Sequence, residues 1–283
     1  MSDLSVPRAR NARLPAFTQN IGIILSLALV ALIALAAVVP SLFTHYDPLY
    51  ADTAAALQGP SAAHWFGTDQ FGRDLFARVI YGAGPSLAAT ALAVAIALVV
   101  GSLIGLISGY LGGWADAVIM RLVDVLLAIP GLLLSMAVVA ALGFGATKVA
   151  IAVGIASVAV FARLMRAEVV RVAASRYIEA ARLGGASRLT ILFRHILPNA
   201  AGTVLTLAAL EFGGAILAIS ALSFLGYGAQ PPQPEWGSLI SGGRDFIAVA
   251  PWLTLAPGLV IIATVLAANR ISRALDPDQS LVK

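Results

Sequence analysis

His64, Asp69 and Asp74, all within HWFGTDQFGRD, are the first residues whose types suggest chemistry, either metal binding or proton transfer. Their spacing matches no metal-ligand pattern, and the loop around them is polar. Capping and turn-closing roles are therefore expected of them. Glu211 is the sharper candidate. It stands near the middle of an apolar stretch, where an ionisable group is expensive and usually faces a cavity or a partner. A translocation-pathway or gating role and a buried, hydrogen-bonded structural role both stay open for it. The third candidate is a region, EAARLGGASRLTILFRHILPN, Glu179 to Asn199. It is a mostly polar, arginine-bearing island between two very hydrophobic stretches.

Enzyme constellations are missing. The chain has only two lysines, Lys148 and Lys283, and neither follows a glycine, so no G-x-x-x-x-G-K-[ST] loop can hold ATP. HExxH, G-x-S-x-G and G-x-G-x-x-G are likewise absent. There is no cysteine, which excludes disulfides, thiolate metal sites and a cysteine nucleophile. The chain reads as a non-enzyme with no cofactor or metal of its own.

The elements that position these residues must be membrane spans. Hydrophobic residues make up 60% of the 283, charged residues only 11%, and mean hydropathy is +0.92. A soluble domain of this size needs far more polar surface. Ile21 to Val39 is a charge-free stretch of 19 residues stopped by Pro40, longer than the core of a cleaved signal peptide, and is read as a retained anchor. Further spans are expected at Ser86–Ile107, Ala117–Leu142, Val149–Leu164, Ala200–Leu225 and Trp252–Asn269. Six spans put both termini on one side.

The positive-inside rule chooses that side. With the N-terminus cytoplasmic, 14 of the 18 basic residues lie inside, and only Arg73, Arg78, Lys148 and Arg244 lie outside. The basic pI of about 9.8 thus reports topology, and nucleic acid is excluded as a partner. The island becomes cytoplasmic. Outside, Phe71, Leu75, Phe76, Val79 and Ile80 fall at helical spacing and predict an amphipathic helix at the membrane interface.

Within the spans, Gly101, Gly105, Gly109 and Gly113 recur every four residues as a small face for close packing, inside this subunit or against another. Asp124 is expected to pair with Arg121 three residues earlier, and Pro130 to kink the third span. In the island, Arg176 to Leu183 favours helix, with Glu179 able to pair with Arg176 and Arg182. Gly184-Gly185 stops that helix, Ser187 caps a second one, and Pro198 is expected to end it. Ala180 and Ala181 leave the first helix with a low, smooth face. Such a helix buries little in its own chain, and a protein partner explains why it is kept.

The island resembles the EAA loop of ABC-importer permeases. Glu179-Ala180-Ala181, Gly185 and Leu197-Pro198 match that pattern, while His195 takes the isoleucine slot and Ile196 follows. FGTDQFGRDLFARVIYGAGPSL, RLVDVLLAIPGLLLSMAVVAALG, SFLGYGAQPPQPEWGSLI and RALDP resemble the dipeptide/oligopeptide permease C subunits (DppC/OppC type) over nearly the whole chain, Ile21 to Pro277. Gly84-Pro85 stands where that family usually has Arg-Ile. The resemblance implies an all-α, six-span permease of the type I importer kind in a bacterial plasma membrane, with alternating access between two permease halves.

It also implies a set of partners: a homologous B-type permease, two cytoplasmic ATPases that bind ATP and Mg, an extracytoplasmic substrate-binding protein, and a peptide substrate. Glu179, Ala180, Ala181, Arg182, Gly184 and Gly185 then form a coupling helix and its stop, seated on an ATPase. The corresponding divisions are a cytoplasmic segment 1–20, an anchor 21–43, an extracytoplasmic segment 44–85, a core 86–271 with the coupling loop at about 166–199, and a cytoplasmic tail 272–283. Nickel, glutathione or another small solute is the alternative cargo. A secondary transporter using Glu211 as its proton site is the alternative machine.

Overall fold

In the computed structural model, residues 16–274 are described, with side chains from 21 onward. The three N-terminal arginines, Lys283, and the last residues of RALDP lie outside them, as do most of the segments 1–20 and 272–283. Every regular element among the described residues is helical. Ten α-helices follow in order: α1 (Ala16–Val38), α2 (Leu75–Leu111), α3 (Gly113–Ala128), α4 (Gly131–Leu142), α5 (Ala146–Ala173), α6 (Arg176–Leu183), α7 (Arg188–Thr190), α8 (Leu197–Phe224), α9 (Trp236–Gly243) and α10 (Trp252–Ala274). Five helical stretches are long and apolar enough to cross a bilayer, and α3 with α4, bent by 95° between them, makes a sixth if the pair is one broken span. The fold is the expected all-helical membrane fold, with five to six apolar spans.

The second span departs from expectation. There is no separate interfacial helix: Leu75 to Leu111 is one helix of 37 residues, capped where the Ala77 N–H donates to Asp74 Oδ1 at 2.6 Å. Phe71 precedes it, and Leu75 and Val79 are buried against Trp236, Ile216 and Leu253. Pro85 sits inside the helix without ending it. At about 1.5 Å per residue the helix is far longer than a straight crossing of the roughly 30 Å hydrocarbon layer needs.

The glycine repeat packs within this chain. Gly101, Gly105 and Gly109 lie against α5, where an added Cβ would meet Val158 O at 2.5 Å, Ala162 O at 2.3 Å and Arg166 O at 3.0 Å. Gly113 leaves the series; it has φ +56° and nothing near it. Backbone is in contact with backbone along this seam, as small residues at four-residue spacing allow.

Pro130 does more than kink its span. With Ile129 it breaks the helix into α3 and α4, bent by 95°, because proline removes an N–H and pushes the preceding residue out of helical geometry. Asp124 does not pair with Arg121; it pairs with Arg163 of α5. Asp116 of the same helix accepts two bonds from Arg166, at 3.0 and 2.6 Å, and one from Ser108 at 2.5 Å. The α3–α5 contact is thus fixed by two cross-helix ion pairs that sequence spacing along one helix does not show.

At the end of the bundle bearing α9, the acidic residues do cap and close turns. Asp69 accepts from Phe71 N, Arg73 N and Arg73 Nε, the last at 2.7 Å, and His64 Nδ1 lies 2.8 Å from Asp74 Oδ2. No group of three or more potential metal ligands occurs among the described residues. Glu235, only 1% exposed, caps α9 through Gly237 N and Ser238 N, each at 3.0 Å. Trp236 fills the core beside it and donates its indole N–H to Val79 O at 2.9 Å. The EWGS sequence is therefore a structural lock between α2, α8 and α9.

Candidate functional site

The polar island is a short helix, a tight turn and the start of a long helix. In α6 the one buried side chain, Ile178, is fully covered, whereas Tyr177 and Leu183 are exposed. It packs in one cluster with Phe161, Met165, Val169 and Val172 of α5, with Ile191 and Ile196 just before α8, and with Ala200 and Val204 on α8. As expected, this helix buries little in its own chain, but its one buried isoleucine ties it to both neighbouring spans. Removing about one such side chain from water stabilises by roughly 1.5–3 kcal/mol.

The remainder of α6 faces outward. Glu179, Ala180 and Arg182 are exposed and Ala181 is partly buried. Glu179 pairs with neither Arg176 nor Arg182, and no other described residue bonds to its side chain. With both alanines short, the face between Glu179 and Arg182 is low and carries one exposed negative charge without a partner among the described residues. Leu183, 85% exposed, stands at its end.

The stop has a defined geometry. Gly185 N–H donates to Arg182 O and Ala186 N–H to Ala181 O, both at 3.1 Å, and Gly185 has φ +82°. This bond pair with a left-handed residue is a Schellman motif, for which glycine is strongly preferred. Gly184 keeps a negative φ of −72°, so the conformational demand falls on Gly185 alone. Ser187 then caps the next helix, accepting from Thr190 N at 3.2 Å.

Pro198 does not end that helix. The helical path runs from Arg188 to Phe224 as one stretch, with a π-turn over Ile191–Ile196 immediately before the proline. A π-turn widens the hydrogen-bond ladder and absorbs the donor that proline lacks. Asn199 Nδ2 donates back to His195 O at 2.6 Å, satisfying a carbonyl there. Tyr110 at the end of α2 donates to Arg188 O at 2.9 Å, so the loop is also held by the second span. A rigid connection from α6 to α2, α5 and α8 results.

Glu211 lies on α8, partly buried, in mid-span. Its carboxylate has no hydrogen-bond or ion-pair partner among the described residues, in contrast to the hydrogen-bonded arrangement weighed from sequence. Two residues along, and so on another face of the helix, Gly213 lets α10 come close: an added Cβ would sit 2.7 Å from Asn269 Oδ1. Glu211 and the island are thus on one continuous helix, about 12 residues beyond the Asn199 bond. The sequence did not disclose Asp116–Arg166 or the Glu235 lock. Glu235 carried a signal, an acidic residue directly before the apolar turn of a helix.

Comparison with known proteins agrees with this architecture. Residues 101–280 match the family of binding-protein-dependent transport system inner membrane components. The dipeptide transport system permease protein DppC of Alkalihalophilus pseudofirmus is 44% identical over 234 residues, which is 81% of this chain and 77% of that one. The glutathione transport system permease protein GsiD of Pectobacterium atrosepticum is 40% identical over 263 residues, 92% and 87% of the two chains.

Among solved structures, a methionine ABC transporter in inward-facing conformations superposes with a TM-score of 0.55. It is 16% identical and covers 70% of this chain and 96% of that chain. An amino acid ABC transporter gives the same TM-score at 19% identity, covering 70% and 92%. With five to six apolar spans, a family match over most of the chain and relatives of this similarity, the chain belongs to the binding-protein-dependent transport system inner membrane components and is a permease subunit of an ABC importer.

Proposed function

We propose that this chain is the C-type permease of a short-peptide importer and that α6 is its coupling helix, seated in a groove of a cytoplasmic ATPase. The observation that carries the reading is the pairing of an outer face of Glu179, Ala180 and Arg182 with an inner anchor, Ile178. A push on the outer face passes through Ile178 into α5 and α8 because the cluster is close-packed. Gly185 fixes the direction in which α6 leaves the turn. Both termini and α6 are then cytoplasmic, and the α9 end faces an extracytoplasmic binding protein. A B-type permease forms the other half of the path, and two ATPases supply the ATP chemistry.

Short peptides are the proposed cargo because relatives of similar identity are named for dipeptide and for glutathione transport, and glutathione is itself a tripeptide. Glutathione is the second reading on the same ground. Uptake of labelled dipeptide and of glutathione by a strain lacking the transporter, with and without this chain and its partners, separates the two.

The absence of native cysteine allows a direct test of docking. A single Ala180→Cys should cross-link to an ATPase subunit in the assembled transporter, whereas Trp114→Cys, exposed on α3, should not. No cross-link from position 180, with ATPases present and bound, rejects the proposal.

Glu211 is placed in the translocation path by the same reading. Glu211→Gln is expected to change uptake while the complex assembles normally. If the carboxylate is instead bonded to a partner subunit, Glu211→Ala should lower the assembled complex, since stranding a buried polar group costs about 1–3 kcal/mol. Unaltered uptake and assembly in both variants would remove Glu211 from the path and from the structure.

A further inference from the structure

Arg270, in the last turns of α10, lies across the start of α1. Its guanidinium fills the space above Gly22, with Nη2 only 1.9 Å from where a Cβ on that residue would stand. No described residue accepts a hydrogen bond from it or forms an ion pair with it. Neighbouring Arg273, by contrast, donates to Asn269 O at 3.2 Å. An exposed cation therefore lies between two span ends with no acceptor among the described residues.

Further into the membrane, α1, α8 and α10 leave an apolar groove of about 320 Å³. Val30, Ile33 and Ala34, Ala208 and Phe212, and Ile271 are among its walls. Gly22, Ser26, Val30 and Ile33 follow one another at four- and three-residue steps, so they form one stripe of α1. Val30 is thus about 12 Å, and Ala34 about 18 Å, along the axis from the guanidinium. On α10, Ile271 directly follows Arg270. The two hydroxyls nearest the groove are satisfied by their own helices: Thr264 Oγ1 donates to Val260 O at 2.6 Å and Ser26 Oγ to Gly22 O at 2.9 Å. Hydrocarbon is what the walls accept, and an anion is what the mouth accepts.

We propose that this groove holds an acyl chain of an anionic phospholipid, whose phosphate pairs with Arg270. The order of the site, a cation at the span ends and an apolar trough running inward, is the order of a lipid from headgroup to tail. The α1 side is also the least covered span of the chain, with 11% of its window buried against 33% or more in the other four unbroken spans. A phosphate–guanidinium bond is charge-assisted and strong where water is scarce. Bound there, the lipid joins the anchor helix to α8 and α10.

The assembled transporter, extracted in mild detergent, tests this by native mass spectrometry of retained phospholipid. Phosphatidylglycerol added to delipidated wild-type complex should bind and raise its thermal midpoint, and phosphatidylcholine should not. Arg270→Gln should lower phosphatidylglycerol retention about fivefold, and Ala268→Phe, which fills the groove, should lower it as well. Arg273→Gln should retain it. Equal retention in wild type and Arg270→Gln overturns the proposal, as does equal loss in Arg273→Gln, which would report surface charge alone. Should Ala268→Phe fail to assemble, Arg270→Gln and the lipid add-back still decide. A photoreactive probe on Ala268→Cys should capture lipid; capture of another polypeptide or of this chain's own N-terminal residues would assign the groove to that occupant instead.

Discussion

Ala180→Arg and Gly185→Val should each leave this subunit at normal levels in the membrane, weaken ATPase retention on purification, and reduce peptide uptake to near background. Both positions lie outside the spans, so insertion has no reason to fail. The two variants break the loop differently. At residue 180 the outer face is exposed and low, and an arginine there adds a long charged side chain where close approach is required. At residue 185 the backbone holds φ +82°, a conformation that costs a β-branched residue roughly 1–3 kcal/mol. A Cβ at this site meets nothing within 4 Å, so strain rather than crowding is the cause.

Gly184→Val is the internal control. Its φ is negative, and a Cβ would approach no atom closer than Ala180 O at 3.4 Å. It should cost less uptake than Gly185→Val. Normal transport with ATPases still bound in both Ala180→Arg and Gly185→Val would show that α6 is a mere connector.

The contrast between Gly184 and Gly185 also shows where sequence reading stops. A Gly-Gly pair after an alanine-rich helix announces a stop, but which glycine takes positive φ depends on which carbonyls the turn reaches. Spans were legible because about 20 apolar residues have one outcome in a bilayer. Their ends were not, since α2 and α5 run on into polar sequence once other helices cover them. Pro198 illustrates the same limit: proline ends an isolated helix, yet here a π-turn and Asn199 supply what it lacks. Asp124 was paired by sequence with Arg121 three residues away, whereas its partner is Arg163, 39 residues distant and brought near by the α3–α5 contact. Local rules found the island, its glycine stop and its cap. Only packing revealed that Ile178 joins it to two spans.

Along the α2–α5 seam the expected effects are larger and graded by distance. Gly105→Ala should sharply lower both the thermal midpoint of the assembled complex and its amount in the membrane. A Cβ there would stand 2.3 Å from Ala162 O, 2.8 Å from Met165 Cβ and 2.9 Å from Arg166 N. Two of those atoms are backbone, so no rotamer change relieves the contact and α5 must move. Overpacking of this kind costs about 1–3 kcal/mol, occasionally more. A shift of α5 at Arg166 also draws its guanidinium from Asp116, which adds the loss of a half-exposed ion pair, a smaller term.

Gly101→Ala should behave similarly, with Val158 O at 2.5 Å and Phe161 Cβ at 2.6 Å. Gly109→Ala should be milder, because its nearest approaches are 3.0 Å and include the movable Val169 Cγ1. Gly202→Ala on α8, where a Cβ meets nothing within 4 Å, should be neutral or slightly stabilising, since alanine is the better helix former. The ordering of midpoints is the measurement, with 101 and 105 lowest, 109 between, and 202 at or above wild type. If all four alanine variants melt together, α2 and α5 do not meet backbone to backbone in the assembled transporter, and this seam cannot carry motion from α6 across the membrane.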